Sequence, residues 1–210
     1  MSQARTDEAP GADTRAVARS TLYRSFAGFL SHPTKAVLDT FVAGQFERDV
    51  EGLMNEAGYT VTPREPCGVT GTAQDIEIYY ASAFEAGLPK VSLREANYIR
   101  EGEKILFEDL FRFYDHFGLD TASGALREWP DHIAVELEFM HYLTWLEADV
   151  DDGKVALRRA QKDFLIRHVS HWVDELADRL EQKAAAVPYP RVARLLEDFV
   201  VGEIAMLEGP

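Results

Sequence analysis

The chain has 210 residues, of which 46% are hydrophobic and 28% charged, a balance that fits a soluble globular protein and excludes a disordered or low-complexity chain. A single cysteine, Cys67, excludes an intramolecular disulfide and a cysteine-based metal site. The formal net charge of −14 disfavours nucleic acid and anionic membranes as partners, because like charges repel.

The distribution of charge and hydropathy adds two expectations. No stretch reaches the roughly eighteen apolar residues of a membrane span, and the first residues lack the apolar core of a signal peptide, so we expect a cytoplasmic protein. Residues 95–152 carry −11 of the net charge. Such a field would attract a basic partner, for example an arginine-bearing peptide, and it would also serve solubility. Composition alone leaves both readings open.

The first part of the chain predicts a tail followed by helices. Residues 1–13 are rich in alanine, glycine, proline and charge, which predicts a disordered N-terminal tail. Apolar residues then recur with helical spacing from Thr14 until Pro33. A second helix is predicted from Thr34, a good N-cap, to Gly58, a residue suited to a left-handed C-terminus.

Helical spacing continues through the middle of the chain. Gly44 is expected to loosen the second helix, and residues 59–71 contain too many prolines and glycines for a strand, so they are predicted as a loop. Helices are predicted over residues 75–86 and 102–117.

The second half of the chain is also predicted to be helical. A loop over 118–129 leads into a helix over 133–146, and an acidic turn precedes one long helix over 154–186. Pro188 and Pro190 end that helix, and a last amphipathic helix carries apolar residues from Val192 to Leu207. The pattern predicts an all-α, single-domain helical bundle over residues 14–210.

The segment Glu128-Trp129-Pro130-Asp131-His132 is the most informative one. Pro130 suits the first position of a helix, where its missing N–H costs nothing. Asp131 is then expected to lie against the positive end of the helix dipole. These residues predict a rigid turn with an ionisable pair at the start of a helix.

This segment resembles a family signature. The pattern Glu-x-Pro-Asp-His, followed by Glu136-Leu137-Glu138-Phe139-Met140, is similar to that of the TorD/DmsD/NarJ-like chaperones, which mature molybdenum oxidoreductases. Two other segments resemble the family's aromatic-x-x-Leu-Phe element and its Phe-Leu…His…Trp helix, namely Tyr80-Ala81-Ser82-Ala83-Phe84 and Phe164-Leu165 with His168 and Trp172. Ala83 departs from the usual leucine. The resemblance covers roughly residues 20 to 180, and the shared order of its motifs carries most of its weight.

The resemblance implies an all-helical chaperone that binds the apo catalytic subunit of a molybdopterin oxidoreductase and, where present, its twin-arginine signal peptide, delaying export until the cofactor is inserted. Carboxylates would pair with the arginines, and aromatic side chains would line an apolar groove. The candidate client contacts are Tyr80, Phe84, Glu128, Trp129, Pro130, Asp131, His132 and Glu136. His168 and Trp172 are expected to be core residues first and contacts second. A monomer and a helix-swapped dimer both stay open.

Two other classes of function compete with this one. His132, Glu136, Glu138 and His141 have the spacing of helical metal ligands, but the chain has only one Glu-x-x-His, and di-iron bundles need two. No Gly-x-Ser-x-Gly elbow, reactive-cysteine context or phosphate-binding loop accompanies Asp131 and His132. The sequence therefore predicts a non-enzymatic protein without a bound cofactor or metal. A scaffold subunit retained in a mature enzyme is a further alternative.

Overall fold

The computed structural model describes residues 13–69, 71–85, 91–100, 102–119, 128–150, 152–183 and 188–209. Within them the chain is helical and has no strand, which confirms the predicted fold class. The α-helices are α1 Thr14–Phe29, α2 Lys35–Val42, α3 Gln45–Glu56, α4 Ala73–Tyr80, α5 Glu103–His116, α6 Ile133–Asp149, α7 Lys154–Phe164, α8 Val173–Lys183 and α9 Pro188–Glu208. The predicted tail, apart from Asp13, and most of the predicted loop 118–129 lie outside the described residues.

Local capping explains where the first helices begin and end. The Thr34 hydroxyl accepts a hydrogen bond from the backbone N–H of Val37 and so caps α2, as predicted. Gly58 adopts a φ of +77° after α3, also as predicted. Gly44 has a φ of +60°, which favours glycine and ends the α-helical path, so the single second helix of the prediction is in fact the pair α2 and α3.

The prediction of one long helix over 154–186 is wrong. Helix α7 ends at Phe164 and passes into a π-helical turn, Leu165–Val169, closed by a 2.9 Å bond from Ser170 N–H to the Leu165 carbonyl. The side chains of Leu165, His168 and Val169, which are spaced to share one helical face, lie in the interior. Helix α8 starts after this turn.

The final helix begins earlier than predicted. Pro188 and Pro190 lie in the first turn of α9 itself. A proline is tolerated there because the first N–H groups of a helix have no intrahelical partner.

The core forms where α1 packs against α6, α3 and α9, while α8 packs on α9. At its centre lies a buried polar network around Arg19, hereafter the Arg19 network. The Arg19 guanidinium donates to Glu203 and Glu147, each at 2.7 Å, and also to Gln161, while the Tyr23 hydroxyl donates to Glu203 at 2.7 Å. Charged groups are buried at low cost only when paired in this way, so the network fixes how these helices meet.

Within the described residues, no helix is both long enough and apolar enough to cross a membrane.

Candidate functional site

The signature turn at 128–132 is fastened to two distant parts of the chain. The backbone N–H of Ile133 donates to the Leu93 carbonyl, and that of Glu95 donates to the Asp131 carbonyl, both at 2.9 Å. The buried Tyr114 hydroxyl on α5 donates to the Pro130 carbonyl at 2.8 Å. These bonds hold the start of α6 against the 3-10 turn Glu95–Asn97 and against α5.

The predicted position of Pro130 in the helix is wrong. Helix α6 begins at Ile133, and the N-cap is His132, whose Nδ1 accepts from the backbone N–H of Ala134 at 3.2 Å. Pro130 lies in the turn before the cap, where Trp129 accepts a bond from the His132 N–H. The turn places Asp131 inside the protein, so this carboxylate does not sit free against the helix dipole.

Asp131 is fully buried and paired within the chain. Its carboxylate accepts from Arg94 Nε at 2.9 Å and from the Ala96 N–H at 3.2 Å. Arg94 also bonds Glu103. Burial by itself would lower the pKa of Arg94, but the bonds from these two carboxylates raise it above its ordinary value. Asp131 therefore does not reach the surface itself, but it holds Arg94 in position beside the exposed Trp129 ring.

Arg94 supports an exposed aromatic surface. Its guanidinium lies 4.4 Å from the centroid of the Trp129 ring, and Trp129 stacks on Phe107 with centroids 6.1 Å apart and planes inclined by 29°. Trp129 is 56% exposed, an unusual position for an indole with no structural need to face water. We call Arg94, Phe107 and Trp129 the Trp129 platform; Glu128, also exposed, adjoins it in the chain.

His132 is neutral at physiological pH. Burial, together with the nearby positive charge of Arg94, lowers its pKa from 6.5 to about 4. A neutral imidazole keeps the lone pair that caps α6. Its role in this structure is therefore that of a helix cap beneath the platform.

A second cluster lies beneath the turn, and we call it the Glu95 cluster: Glu95, Glu136, His168, His171 and Trp172. Glu95 Oε2 lies 3.2 Å from His168 Nδ1, and Glu95 Oε1 lies 3.1 Å from His171 Nε2. Burial would raise the pKa of Glu95, but the bonds to the two histidines outweigh it and hold the pKa below its usual value.

Glu136 is the exceptional member of this cluster. Its side chain is fully buried, and within the described residues neither carboxyl oxygen makes a hydrogen bond of good geometry; the same holds for the nearby Trp172 indole N–H. Burial first, then the negative charges of Glu95 and Asp131, raise the pKa of Glu136 well above its usual range. The interior therefore favours the neutral, protonated form of Glu136.

Tyr80 and Phe84 form an aromatic group with Tyr189 of α9. Tyr80 is buried, its hydroxyl donates to the Leu30 carbonyl at 3.2 Å, and its ring lies 4.9 Å from that of Phe84. Both rings contact Tyr189 of α9. Their described ring contacts are with this aromatic group rather than with the Trp129 platform.

The side chains of the alternative metal-ligand set do not converge. His141 Nδ1 lies 2.7 Å from the Ser20 hydroxyl, whereas His132 Nδ1 accepts the N–H of Ala134, and Glu138 is exposed on α6. In the part of the chain that the structure describes, no three His, Cys, Asp or Glu side chains are placed to share a metal ion.

Sequence reasoning missed Arg94, Glu95 and His171 as members of the site. The link between Glu95 and His168 spans 73 residues, and periodicity within one helix cannot reveal such a pairing. The available signal was weak: His168 and His171 are spaced to share a face, next to a tryptophan.

Comparisons with known proteins converge on one family. Residues 70–178 match the family model described as the nitrate reductase delta subunit. The selenate reductase assembly chaperone protein of Thauera selenatis is 39% identical over 60% of this chain and 69% of its own length. The dimethyl sulfide dehydrogenase assembly chaperone protein of Rhodovulum sulfidophilum is 31% identical over 93% of this chain and 85% of its own length.

A solved structure supports the fold. The crystal structure of a redox enzyme maturation protein from Archaeoglobus fulgidus superposes with a TM-score of 0.51 at 21% sequence identity, covering 87% of this chain and 93% of that one. At this identity the similarity concerns the arrangement of helices.

Proposed function

The chain belongs to the nitrate reductase delta subunit family, together with the assembly chaperones that it resembles, and on that premise we propose that it is a maturation chaperone of a molybdopterin oxidoreductase. It binds the catalytic subunit in the cytoplasm before cofactor insertion and, where the subunit carries one, its twin-arginine signal peptide. Binding delays export until the subunit is loaded. The chain itself catalyses no reaction, in keeping with the chaperone names of its relatives.

The Trp129 platform is the observation that supports client binding most directly. An exposed indole held rigidly by an arginine and a phenylalanine offers a large apolar contact at little entropic cost, and such aromatics dominate protein interfaces. Asp131, Pro130 and His132 position it from beneath. Glu128 and Glu103 add negative charge at the rim, where arginines of a client peptide would pair with them.

The other candidate residues serve this proposal indirectly. Glu136, His168 and Trp172 are buried below the platform, and Tyr80 and Phe84 brace α4 against α9. We propose that they shape the binding surface and that Trp129 and Glu128 contact the client.

The experiment is capture of the client. The chaperone is used as bait in the cytoplasm of its own source, bound proteins are identified by mass spectrometry, and molybdenum in the captured material is measured. We expect a catalytic oxidoreductase subunit without molybdenum. Capture of the fully loaded enzyme in equal amount would instead support a retained scaffold subunit.

Matched variants test the platform. Trp129→Ala is expected to weaken capture at least about tenfold, the size of a moderate interface hot spot. Trp145→Ala is the control, because Trp145 is 51% exposed on the outer side of α6 and stacks only on Tyr142 among its described ring contacts. Equal loss in both variants, or none in Trp129→Ala, would contradict the assignment of the platform.

A further inference from the structure

Two clefts meet at Asp109 on α5. The first, about 540 Å³, has apolar walls from Ile99, Ile105, Leu106 and Ile166 and a polar floor that includes Glu95 and His168. The second, about 340 Å³, lies between α5 and α7 over Phe113, Phe117, Ala156 and Ala160. Three residues line both clefts, namely Asp109, Arg112 and Arg167. We call them the Asp109 bridge.

Asp109 is the mostly buried member of this bridge, whereas its two arginines are exposed. Asp109 accepts from Arg112 Nη1 at 3.1 Å through Oδ1 and from Arg167 Nη2 through Oδ2. The Asp109 side chain is only 15% exposed, but those of Arg112 and Arg167 are 72% and 51% exposed. Exposed ion pairs are weak, because water screens them and ordering long side chains costs entropy. The arginines can therefore leave while the carboxylate stays.

A polar atom without a well-formed hydrogen bond lies next to the bridge. His168 is almost fully buried and lines the first cleft. Its Nε2 lies 3.2 Å from Asp109 Oδ2, yet it makes no hydrogen bond within the described residues. Buried polar groups are nearly always hydrogen-bonded in native proteins, so the poorly aligned contact of His168 with Asp109 is a place where an added ligand would gain a hydrogen bond.

The surroundings of the bridge favour a cation as that ligand. Glu95 and Glu108 line the same cleft as Asp109, and the region 95–152 holds most of the negative charge of the chain. Ile105 and Ile166 are exposed apolar walls against which the methylene stem of an arginine would pack. The planar guanidinium fork suits the two oxygens of Asp109, which Arg112 and Arg167 now occupy one each.

We infer that Asp109 receives an arginine side chain of the client subunit, and that Arg112 and Arg167 occupy this carboxylate in the free chaperone and are displaced on binding. The inference rests on the proposed function, which supplies a peptide of the client as the partner. In the free chaperone, the chain's own arginines thus occupy the site that the client arginine would take. Displacement of Arg167 would join the two clefts.

The test is a fluorescence anisotropy titration of the full chain with a labelled synthetic peptide that carries two adjacent arginines followed by leucines. Removing a competing guanidinium should help the incoming one, so Arg167→Gln is expected to tighten binding about threefold to fivefold, the equivalent of one exposed ion pair. Asp109→Asn is expected to weaken binding below that of the unaltered chain. The double variant should bind like Asp109→Asn alone, because the gain acts through Asp109.

Three controls separate the bridge from a general effect of charge. Lys35→Gln frees Asp39 from an exposed 2.6 Å ion pair on α2 with the same change in net charge, and it should leave binding unchanged. A peptide with two lysines keeps the charge but lacks the fork, so it should gain little from Arg167→Gln. Thermal unfolding shows whether Asp109→Asn is folded. The tighter peptide binding expected of Arg167→Gln cannot arise from misfolding, because a misfolded variant would lose binding.

Specific results would overturn the inference. If Arg167→Gln weakened binding or left it unchanged, or if the double variant kept the gain, Asp109 would not be the receptor. If a peptide with paired glutamates bound the unaltered chain and was lost in Arg167→Gln, the bridge would be an anion site. If no client subunit is captured although Arg167→Gln tightens binding of the peptide, the proposed function alone is contradicted. If client capture depends on Trp129 but substitutions at Asp109 and Arg167 leave peptide binding unchanged, this inference alone is contradicted.

Discussion

The Arg19 network and the Glu95 cluster are both buried groups of charged side chains, but they differ in how completely their atoms are paired. In the Arg19 network, each guanidinium nitrogen donates to a carboxylate or an amide oxygen. In the Glu95 cluster, both Glu136 oxygens, His168 Nε2 and Trp172 Nε1 lack a hydrogen bond within the described residues. The saturated network lies between core helices, whereas the unsaturated one lies beneath the Trp129 platform and a cleft. Incomplete pairing thus accompanies the surface that we propose to bind a client.

The largest expected loss of stability is in the saturated network. Arg19→Ala leaves Glu147 and Glu203 buried without their shared guanidinium, and removing one partner of a buried ion pair costs about 3–5 kcal/mol. Urea unfolding should show this as a lower midpoint. Lys35→Ala, which removes an exposed pair, should cost less than about 0.5 kcal/mol; similar losses in the two variants would mean that the Arg19 network adds nothing.

The next largest effect is expected at Asp131. Asp131→Ala removes the acceptor of Arg94 Nε and of the Ala96 N–H, so the free energy of unfolding should fall by about 2–3 kcal/mol. The Trp129 indole loses its support at the same time, and its fluorescence should become more accessible to a quencher such as acrylamide. Glu103→Ala removes only the exposed partner of Arg94 and serves as the control. Unchanged quenching in Asp131→Ala would show that the platform does not depend on this carboxylate.

A smaller, pH-dependent effect is expected at His132. Its folded-state pKa of about 4 lies below the ordinary 6.5, so the unfolded chain binds the proton more readily, and the stability that neutral His132 provides is lost as the pH falls from 6.5 towards 4. The slope from this group is at most about 1.4 kcal/mol per pH unit. His132→Asn keeps a helix-capping acceptor that does not titrate, and its unfolding free energy should fall less over this window. Parallel curves for the two proteins would refute the assignment.

A pH dependence of the opposite sign is expected at Glu136. Its pKa is raised above 4.5, so the folded chain holds a proton that the unfolded chain releases, and the wild-type protein loses stability as the pH rises above 4.5. Glu136→Gln is close in shape and cannot ionise. We expect it to equal the wild type near pH 4.5 and to become progressively more stable at higher pH, as measured by urea unfolding at a series of pH values. The difference in unfolding free energy between Glu136→Gln and the wild type is the quantity to follow. If this difference becomes less favourable to the variant between pH 5 and pH 8, the carboxyl is ionised in the folded protein.

The helical class and most helix positions were predictable because amphipathic spacing is a local property. Thr34 and Gly58 carry capping chemistry that one residue and its immediate neighbours decide. The break at Gly44 was anticipated only as a loosening, since a glycine within a helix is sometimes tolerated. The π turn at 165–169 was not predictable, because its buried residues keep the spacing of an ordinary helical face, and the contact of His168 with Glu95 joins residues far apart in the chain.

The site was predictable in its location but not in its arrangement. The motif pointed to residues 128–136, and these do surround the platform. Which of them face water depends on tertiary contacts: Arg94 draws Asp131 inward and leaves Trp129 outside. Tyr80 and Phe84 have the spacing of a shared face, yet Tyr189 from the last helix decides what that face contacts.

The Arg19 network also sets an order of events during synthesis. Arg19 lies in the first helix, but Glu203, which accepts two of its N–H groups, lies in the last, 184 residues later. In a nascent chain the Arg19 guanidinium can reach Glu147 and Gln161 but lacks its Glu203 acceptor until that part of α9 has left the ribosome, and contacts of such long sequence separation form slowly. Any shortening at the C-terminal end that removes Glu203 leaves the first helix without its central anchor. The pairing of Arg19 is thus completed only after Glu203 of α9 has been synthesised.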